Sequence, residues 1–155
     1  MTRVVAAFPA TGKSYLASRM PGVADSDSSQ FSWTYRGPPE RHPHWPGNYI
    51  DHLNELRRSS LGLVLVSTHA EVRAALVQHG IDFTLVYPMV ELREEYRERM
   101  EHRGSPPALI AKVIDELWEP ALAECRAQRG CYHVELCSGG YLANVPERRL
   151  YGVAA

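Results

Sequence analysis

Lysine and net charge are both scarce in this sequence. Only Lys13 and Lys112 are lysines among the seventeen basic residues. The formal net charge is -1 and the isoelectric point is near 6.7. A chain without an overall basic field is not typical of proteins that hold nucleic acid mainly through its phosphate backbone, so any such partner would need a local basic patch.

Cysteine is also scarce, and long apolar runs are missing. The three cysteines, Cys125, Cys131 and Cys137, are too widely spaced for a Cys-x-x-Cys ligand pair, and their odd number argues against a disulfide framework. We expect reduced thiols, as in a cytoplasmic protein. No apolar run is long enough to span a bilayer, and a strand-like run begins at once without a charged leader. The sequence therefore predicts a cytoplasmic protein with no membrane partner.

Apolar runs with strand character alternate with helical runs along the chain. The expected strands are 3–8, 22–25, 61–69, 81–88 and 131–137. The run 61–69 is the most hydrophobic, which favours a place at the sheet centre. Such alternation predicts a three-layer α/β/α fold, with a five-stranded parallel sheet covered by helices on both faces. The length of 155 residues suits one domain, covering 1–155.

Three of the expected helices have identifiable limits. Residues 48–58 place apolar side chains on one helical face, with Asn48 as the expected N-cap. A charged helix is expected over about 90–104, where a glycine ends it. A longer apolar stripe predicts a helix over 106–130 with a kink at Pro120.

The segment FPATGKS, which follows the first strand, is close to a phosphate-binding loop. That motif is Gly, any four residues, then Gly-Lys-Ser/Thr, and here Ala7 stands at the first glycine position. Ala7 is compatible with the motif if its φ is negative at the end of the strand. Backbone N–H groups, a lysine and a hydroxyl would then surround a nucleotide phosphate and Mg²⁺. The expected cofactor-binding residues are Pro9, Ala10, Thr11, Gly12, Lys13, Ser14 and Tyr15.

The chain resembles the P-loop kinases, and specifically the small, often phage-encoded branch that includes nucleoside monophosphate kinases, polynucleotide kinase and gluconate kinase. The resemblance rests on FPATGKS, DSDSS, VSTH, LREEYRERMEHRG and GGYL, in this order along the chain. It implies a P-loop kinase fold, ATP as phosphoryl donor and Mg²⁺ as cofactor. It also implies that Lys13 contacts the β- and γ-phosphates and that Ser14 binds the metal.

Two acids follow the second expected strand. Classical adenylate kinases have an acid at the end of their third strand, whereas this chain has Ser67, Thr68 and His69 there. Asp25 and Asp27 resemble the branch whose acid after strand two accepts a proton from an attacking hydroxyl or assists the metal. We expect both to be catalytic and Asp27 to be a metal ligand beside Ser14. The alternative is a solvated turn in which an aspartate caps a helix.

Arginines are concentrated in the charged helix. In the family this segment acts as a lid whose arginines neutralise the migrating phosphoryl group, which implies catalytic roles for Arg93 and Arg97 and a cofactor contact for Arg103. The alternative is an exposed helix stabilised by pairs such as Glu95 with Arg99 at i, i+4.

The loop 31–49 is the expected acceptor side. Its aromatic residues could stack on a base, or they could pack the loop against the sheet. Basic residues nearby could contact phosphate or base edges, and the histidines lack partners at metal-ligand spacing. The aromatic residues are Phe31, Trp33, Tyr35, Trp45 and Tyr49, and the basic ones are Arg36, Arg41, His42 and His44.

Three functions remain open from the sequence. The leading one is a Mg²⁺-dependent ATP phosphotransferase acting on a nucleotide, similar to small (deoxy)nucleoside monophosphate kinases. The second is a kinase for a hydroxyl on DNA, either at a polynucleotide end or on a 5-hydroxymethylpyrimidine base; strand-two acids favour it and the absence of basic charge disfavours it. The third is a nucleotide-binding module without catalysis. A nucleotide acceptor is the expected partner, with DNA as the alternative.

Overall fold

The computed structural model describes residues 1–34 and 38–152. The strands are β1 (Arg3–Ala7), β2 (Val23–Asp25), β3 (Trp33–Thr34), β4 (Glu40–Arg41), β5 (Leu63–Val66), β6 (Phe83–Pro88) and β7 (Tyr132–Leu136). The helices are α1 (Lys13–Arg19), α2 (Ser29–Ser32), α3 (Gly47–Arg58), α4 (Ala70–Gln78), α5 (Arg93–His102), α6 (Pro107–Ile110), α7 (Trp118–Ala127) and α8 (Glu147–Leu150). There are also 3-10 turns at Val90–Leu92 and Leu142–Asn144, and a π-helical segment at Ala111–Glu116.

The main sheet has five parallel strands in the order β2-β5-β1-β6-β7, which confirms the expected α/β class with a five-stranded parallel sheet. β1 is the central strand, with β5 on one side and β6 on the other. The expectation that the most hydrophobic run forms the centre is therefore wrong by one strand, because β5 lies beside β1. Every residue of β5 and β6 is buried, since helices cover both faces of the sheet.

The two faces of the sheet carry separate apolar cores. On one face, α3, α4, α5 and α7 pack against alternate residues of the sheet, and the core includes the fully buried Tyr49, Tyr96 and Trp118. On the other face, Leu16 of α1 and Leu150 of α8 cover the remaining alternate positions. Since successive strand residues point to opposite faces, this arrangement gives three layers. Among the described residues, no helix has both the length and the apolar character needed to cross a membrane.

The loops that follow the parallel strands meet at one edge of the sheet, as expected from their polar residues. The hydroxyl groups of Ser28 and Ser67 lie 2.9 Å apart and join the loops after β2 and β5. The backbone N–H of Leu142, after β7, donates to the carbonyl oxygen of Thr11, after β1, at 3.0 Å. The polar clusters identified in the sequence therefore come together in space.

The expected helix over 106–130 is divided into three parts. α6 continues into the π-helical segment, and the regular helix resumes only at α7. The proline ring at Pro120 clashes with the carbonyl of the residue four positions earlier, Glu116, where the π-helical segment ends. The backbone N–H of Leu117 donates instead to Lys112, five residues back, at 3.0 Å. The break therefore lies one turn before the proline.

The segment 31–49 contains more regular structure than the long loop that was expected. It includes the end of α2, the short antiparallel pair β3 and β4, and the start of α3. Asn48 is not the N-cap of α3, because the helix already begins at Gly47. The Asn48 side chain instead donates to the carbonyl of Phe31 at 2.8 Å, so it fastens the segment to α3.

Candidate functional site

The loop between β1 and α1, residues 8–12, forms a tight backbone turn at the edge of the sheet. Ala7 ends β1 and is fully buried, and its φ is not among the positive ones, so it meets the condition set by the sequence. Ala10 and Gly12 both have positive φ, 63° and 91°. The Thr11 hydroxyl donates to the carbonyl of Phe8 at 2.7 Å, which closes the turn from inside.

The first residue of this loop is tied to the sheet, because the N–H of Phe8 donates to the carbonyl of Val86 at 2.9 Å, but the N–H groups that follow it are unpaired within the described part of the chain. In residues 1–34 and 38–152, the structure gives no hydrogen-bond acceptor to the N–H groups of Ala10, Thr11, Gly12 and Lys13. Pro9 has no N–H to contribute. Four consecutive unpaired donors, two of them at residues with positive φ, are the arrangement that binds an anion.

The side chain of Lys13 lies across this loop. Its ammonium group donates to the carbonyl oxygens of Ala7 at 2.8 Å and Phe8 at 3.3 Å. The pKa of Lys13 is lowered to about 8, mainly by burial and also by the positive charge of Arg103, while Asp25 and Asp27 oppose the shift. An anion placed in the loop would favour the protonated amine, so Lys13 is poised to exchange carbonyl partners for phosphate oxygens.

The hydroxyl group of Ser14 and the carboxylate of Asp25 form an oxygen pair beside the loop. Ser14 donates to Oδ2 of Asp25 at 2.8 Å, which links α1 to the end of β2. Both side chains are exposed, so they are open to a ligand. Among the described residues, no group of three His, Cys, Asp or Glu side chains could hold a metal by itself.

The structure pairs Ser14 with Asp25 and not with Asp27, the expected metal ligand. Oδ1 of Asp27 instead accepts the backbone N–H of Ser29, the first residue of α2, at 2.9 Å. That contact is an Asx turn before α2, whose N-cap is Ser28, so it matches the solvated-turn part of the alternative but does not make Asp27 the helix cap. Asp27 nevertheless lies close enough to Lys13 to influence its pKa.

A cavity of about 730 Å³ opens in front of Lys13 and Ser14. Its walls are the start of α1, one face of α5, and the turn after β7. The residues that line it include Ala10, Gly12, Tyr15, Arg99, Arg103 and Tyr141. The volume falls in the range of cofactor and ligand sites, and the predicted contact residue Arg103 is part of the wall. Its guanidinium is held by the Ser105 hydroxyl at 2.8 Å.

Arg99 organises this cavity, although the sequence did not single it out for the site. Its guanidinium donates to the carbonyls of Ala10 at 3.2 Å and Gly140 at 3.0 Å. It also pairs with Glu95 at 2.6 Å and lies 3.8 Å from the ring centre of Tyr141. Arg99 therefore ties α5 to the loops after β1 and β7. The Glu95–Arg99 pair was anticipated only as a surface feature.

Arg93 and Arg97 do not face the cavity, so their expected place beside the phosphate loop is not found. Arg93 pairs with Glu119 at 2.9 Å, and Arg97 pairs with Asp115 at 2.5 Å. The apolar positions of α5 that enter the core are Tyr96 and Met100. Arg93 and Arg97 lie on one side of that apolar stripe, while Arg99 and Arg103 lie on the other, towards the cavity.

The aromatic side chains of segment 31–49 mostly pack against the protein. The hydroxyl of the fully buried Tyr49 donates to the carbonyl of Ser26 at 2.9 Å. Phe31 stacks on His52 with a ring separation of 4.6 Å, and Trp45 stacks on Tyr49 at 5.8 Å. The packing alternative therefore describes these three aromatic residues.

Arg41 and the exposed Trp33 form the outer surface of the same segment. The Arg41 guanidinium lies between the rings of Trp33 and Trp45, at 5.1 Å and 5.2 Å from their centres. It also pairs with Glu71, in the first turn of α4, at 2.6 Å. His44 donates its backbone N–H to Nδ1 of His42 at 3.1 Å. Tyr35 and Arg36 lie outside the described residues.

Comparison of the sequence with protein families and curated proteins identifies no relative that could assign this site. No protein family model matches the sequence, and no curated protein is significantly similar to it.

Proposed function

We propose that the protein is a Mg²⁺-dependent ATP phosphotransferase of the P-loop kinase type that acts on a nucleotide, with a (deoxy)nucleoside monophosphate as the first candidate acceptor. The observation that carries the proposal is the loop after β1. There, the backbone N–H groups of Ala10, Gly12 and Lys13, which have no acceptor among the described residues, border one cavity together with the Lys13 ammonium and the Ser14 hydroxyl. This combination of donors supports binding of a polyphosphate.

Lys13 would neutralise the charge that develops on the transferring phosphoryl group. In the structure its ammonium group donates hydrogen bonds to two carbonyl oxygens, those of Ala7 at the end of β1 and of Phe8 in the loop. Phosphate oxygens offer the same amine a full negative charge in a partly buried setting, where such contacts are strong. Transfer moves the γ-phosphoryl group from ATP to an acceptor oxygen and releases ADP.

The residues present suit Mg²⁺. Mg²⁺ takes hard oxygen ligands, commonly one or two from the protein with substrate phosphates and water completing the shell. The Ser14 hydroxyl and the Asp25 carboxylate, 2.8 Å apart and exposed, provide such oxygens. When bound, Mg²⁺ would offset the negative charge of the phosphate oxygens, and Ser14 and Asp25 would hold it. Asp25, rather than Asp27, is the carboxylate that we assign to the metal.

The position of Asp27 favours the hydroxyl kinase as a second candidate. Once Asp25 is assigned to the metal, Asp27 is a further exposed carboxylate near Lys13. A hydroxyl acceptor needs a base to take its proton, whereas a phosphate acceptor is already ionised and would be repelled by that charge. Asp27 would accept the proton while the acceptor oxygen forms its bond to phosphorus.

A phosphoryl-transfer panel tests both candidates. Purified protein is incubated with Mg²⁺ and γ-labelled ATP against ribo- and deoxynucleoside monophosphates, nucleosides, and single- and double-stranded DNA with and without 5-hydroxymethylpyrimidines. Label is expected in a nucleoside diphosphate, and it should be lost in Lys13→Ala but kept in Lys112→Ala, the matched change at the only other lysine.

The outcomes separate the functions. Label found only in DNA, with strong loss in Asp27→Asn, would replace the first candidate by the hydroxyl kinase. ATP binding without transfer to any acceptor would leave a nucleotide-binding module. Transfer that survives in Lys13→Ala would contradict the proposed role of the loop.

A further inference from the structure

A second cavity lies on the other side of the loop after β1, between α4 and α7. We name it the α4–α7 slot. It has a volume of about 310 Å³, and its walls are Phe8, Pro9, His69, Leu117, Pro120 and Ala121, together with neighbouring residues of both helices. Most of these side chains are apolar. The volume is at the lower end of the range for small-ligand pockets.

The break in the helix after α6 lies at the wall of the slot, where Val113 and Leu117 line it. A regular helix would run past Pro120 with its side chains evenly spaced, but the π-helical segment ends at Glu116 and displaces the chain there. Leu117, at the break, is 42% exposed at the mouth of an apolar cavity. Short π-helical segments are frequent at functional sites, and this one contributes to the wall of an apolar cavity.

Arg73 fixes the width of the slot. Its side chain is 6% exposed and crosses from α4 to α7, where it meets Glu124 at 3.0 Å and Gln128 at 2.5 Å. Its Nε donates to the carbonyl of Thr68 at 2.9 Å. A buried cation with its donors satisfied holds the two helices at a set separation, so the slot is preformed.

The slot is directly beside the proposed phosphate site. Phe8 and Pro9 line the slot, whereas Ala10, Gly12 and Lys13 line the larger cavity, so the same short loop separates the two. The carbonyl of Phe8 also accepts a hydrogen bond from Lys13 at 3.3 Å. A ligand could therefore place one end in the slot, extend past this loop, and bring its other end to the amine of Lys13.

We propose that the α4–α7 slot binds the nucleobase of the phosphoryl acceptor. A ligand suited to this position combines a flat, weakly polar group for the slot with an oxygen that reaches the loop, and a nucleoside unit has this form. The base could belong to a free nucleotide or to a nucleotide displaced from a DNA strand, since both present the same ring. The inference rests on the proposed function and names the binding place of its acceptor.

Filling the slot tests this placement. Ala121→Leu adds three carbon atoms to its wall, and Ala123→Leu makes the same change at an exposed position of α7 outside the slot. Steady-state kinetics are measured with the four deoxynucleoside monophosphates and with a single-stranded oligonucleotide containing 5-hydroxymethyluracil. We expect the KM for the accepted substrate to rise about tenfold or more in Ala121→Leu, with the Kd for ATP unchanged, and no change in Ala123→Leu.

A second pair of variants tests the slot independently, in case Ala121→Leu fails to fold. Leu117 and Leu109 are both 42% exposed, but only Leu117 lines the slot. Leu117→Gln should raise the acceptor KM several-fold while Leu109→Gln does not, because only the first removes apolar contact from the slot. The oligonucleotide and the monophosphates distinguish the two sources of the base.

The results separate this inference from the proposed function. One outcome is that the wild type transfers phosphate while neither Ala121→Leu nor Leu117→Gln changes the acceptor KM. That result would contradict base binding in the slot but would leave the proposed kinase activity supported. No transfer by the wild type to any of these acceptors would overturn both. A rise in the Kd for ATP equal to the rise in acceptor KM would also count against the slot, since it would show general damage to the loop.

Discussion

Lys13 should titrate within the pH range of ordinary enzyme assays. Burial lowers its pKa to about 8, with Arg103 adding to the shift. A lysine with that pKa is about one tenth neutral at pH 7, about half neutral at pH 8 and about nine tenths neutral at pH 9. The ability of the loop to hold a polyphosphate should therefore decline as the pH rises above 8.

The shift also sets the sign of a stability change. The folded-state pKa of Lys13 lies below its unfolded value, so the unfolded chain binds more protons between pH 8 and about pH 10.4. Stability should therefore rise with pH as the amine becomes neutral. Relative to Lys13→Met, which cannot titrate, the wild type should gain about 1 kcal/mol between pH 7 and pH 9. Urea unfolding of both proteins at the two pH values measures this difference.

The scarcity of lysine makes the titration directly observable. Protein labelled with ¹³C at lysine Cε should give two side-chain signals, one each from Lys13 and Lys112, and Lys13→Arg identifies the first. Addition of ATP should move the midpoint of the Lys13 signal to higher pH. About half a proton should then be taken up per ATP bound at pH 8, which calorimetry in buffers of different ionisation enthalpy detects.

Two results would refute this reasoning. A Lys13 signal with a midpoint at or above pH 10 in the free protein would show that the amine is not desolvated by the loop. Proton uptake on ATP binding that persists unchanged in Lys13→Met would assign the linkage to another group, such as the α-amine.

Three further predictions concern other parts of the site and core. Gly12→Ala should lower stability by about 1–2 kcal/mol, as measured in urea, because φ is 91° and the new Cβ would lie 3.3 Å from Tyr141. Trp118→Ala should cost about 3–5 kcal/mol in the same assay, because this side chain is only 1% exposed. Arg99→Ala should weaken ATP binding in calorimetry while Arg97→Ala should not, and the reverse order would contradict the assignment of the cavity face.

The sheet and the place of the site could be predicted because both depend on local patterns. Buried strands such as β5 and β6 appear in the sequence as continuous apolar runs, and parallel strands bring their following loops to one edge. The position of Lys13 follows from the loop motif alone. The central place of β1 was not predicted, because hydrophobicity shows burial on two faces but does not give the order of two such strands.

The side of α5 that faces the cavity could not be predicted. Tyr96 and Met100 mark the buried stripe of this helix, but arginines lie on both sides of it. Choosing between them requires the position of Asp115, which binds Arg97, and of Tyr141, which packs on Arg99. These partners are distant in sequence and belong to separate elements. The contact of Ser14 with Asp25 rather than Asp27 depends in the same way on where α1 meets β2.

The central position of β1 also determines when the site can form during folding. β1 is the first strand of the chain, yet its neighbours β5 and β6 begin about sixty and eighty residues later. Contacts of such sequence separation form slowly, because a long loop must close before they contribute. The loop after β1 is thus among the first segments to be synthesised and among the last to be held in place. A chain that ends before β6 would contain every residue from Ala7 to Asp27 and could pair β1, β2 and β5, but it would lack β6, to which β1 pairs and to which the N–H of Phe8 donates.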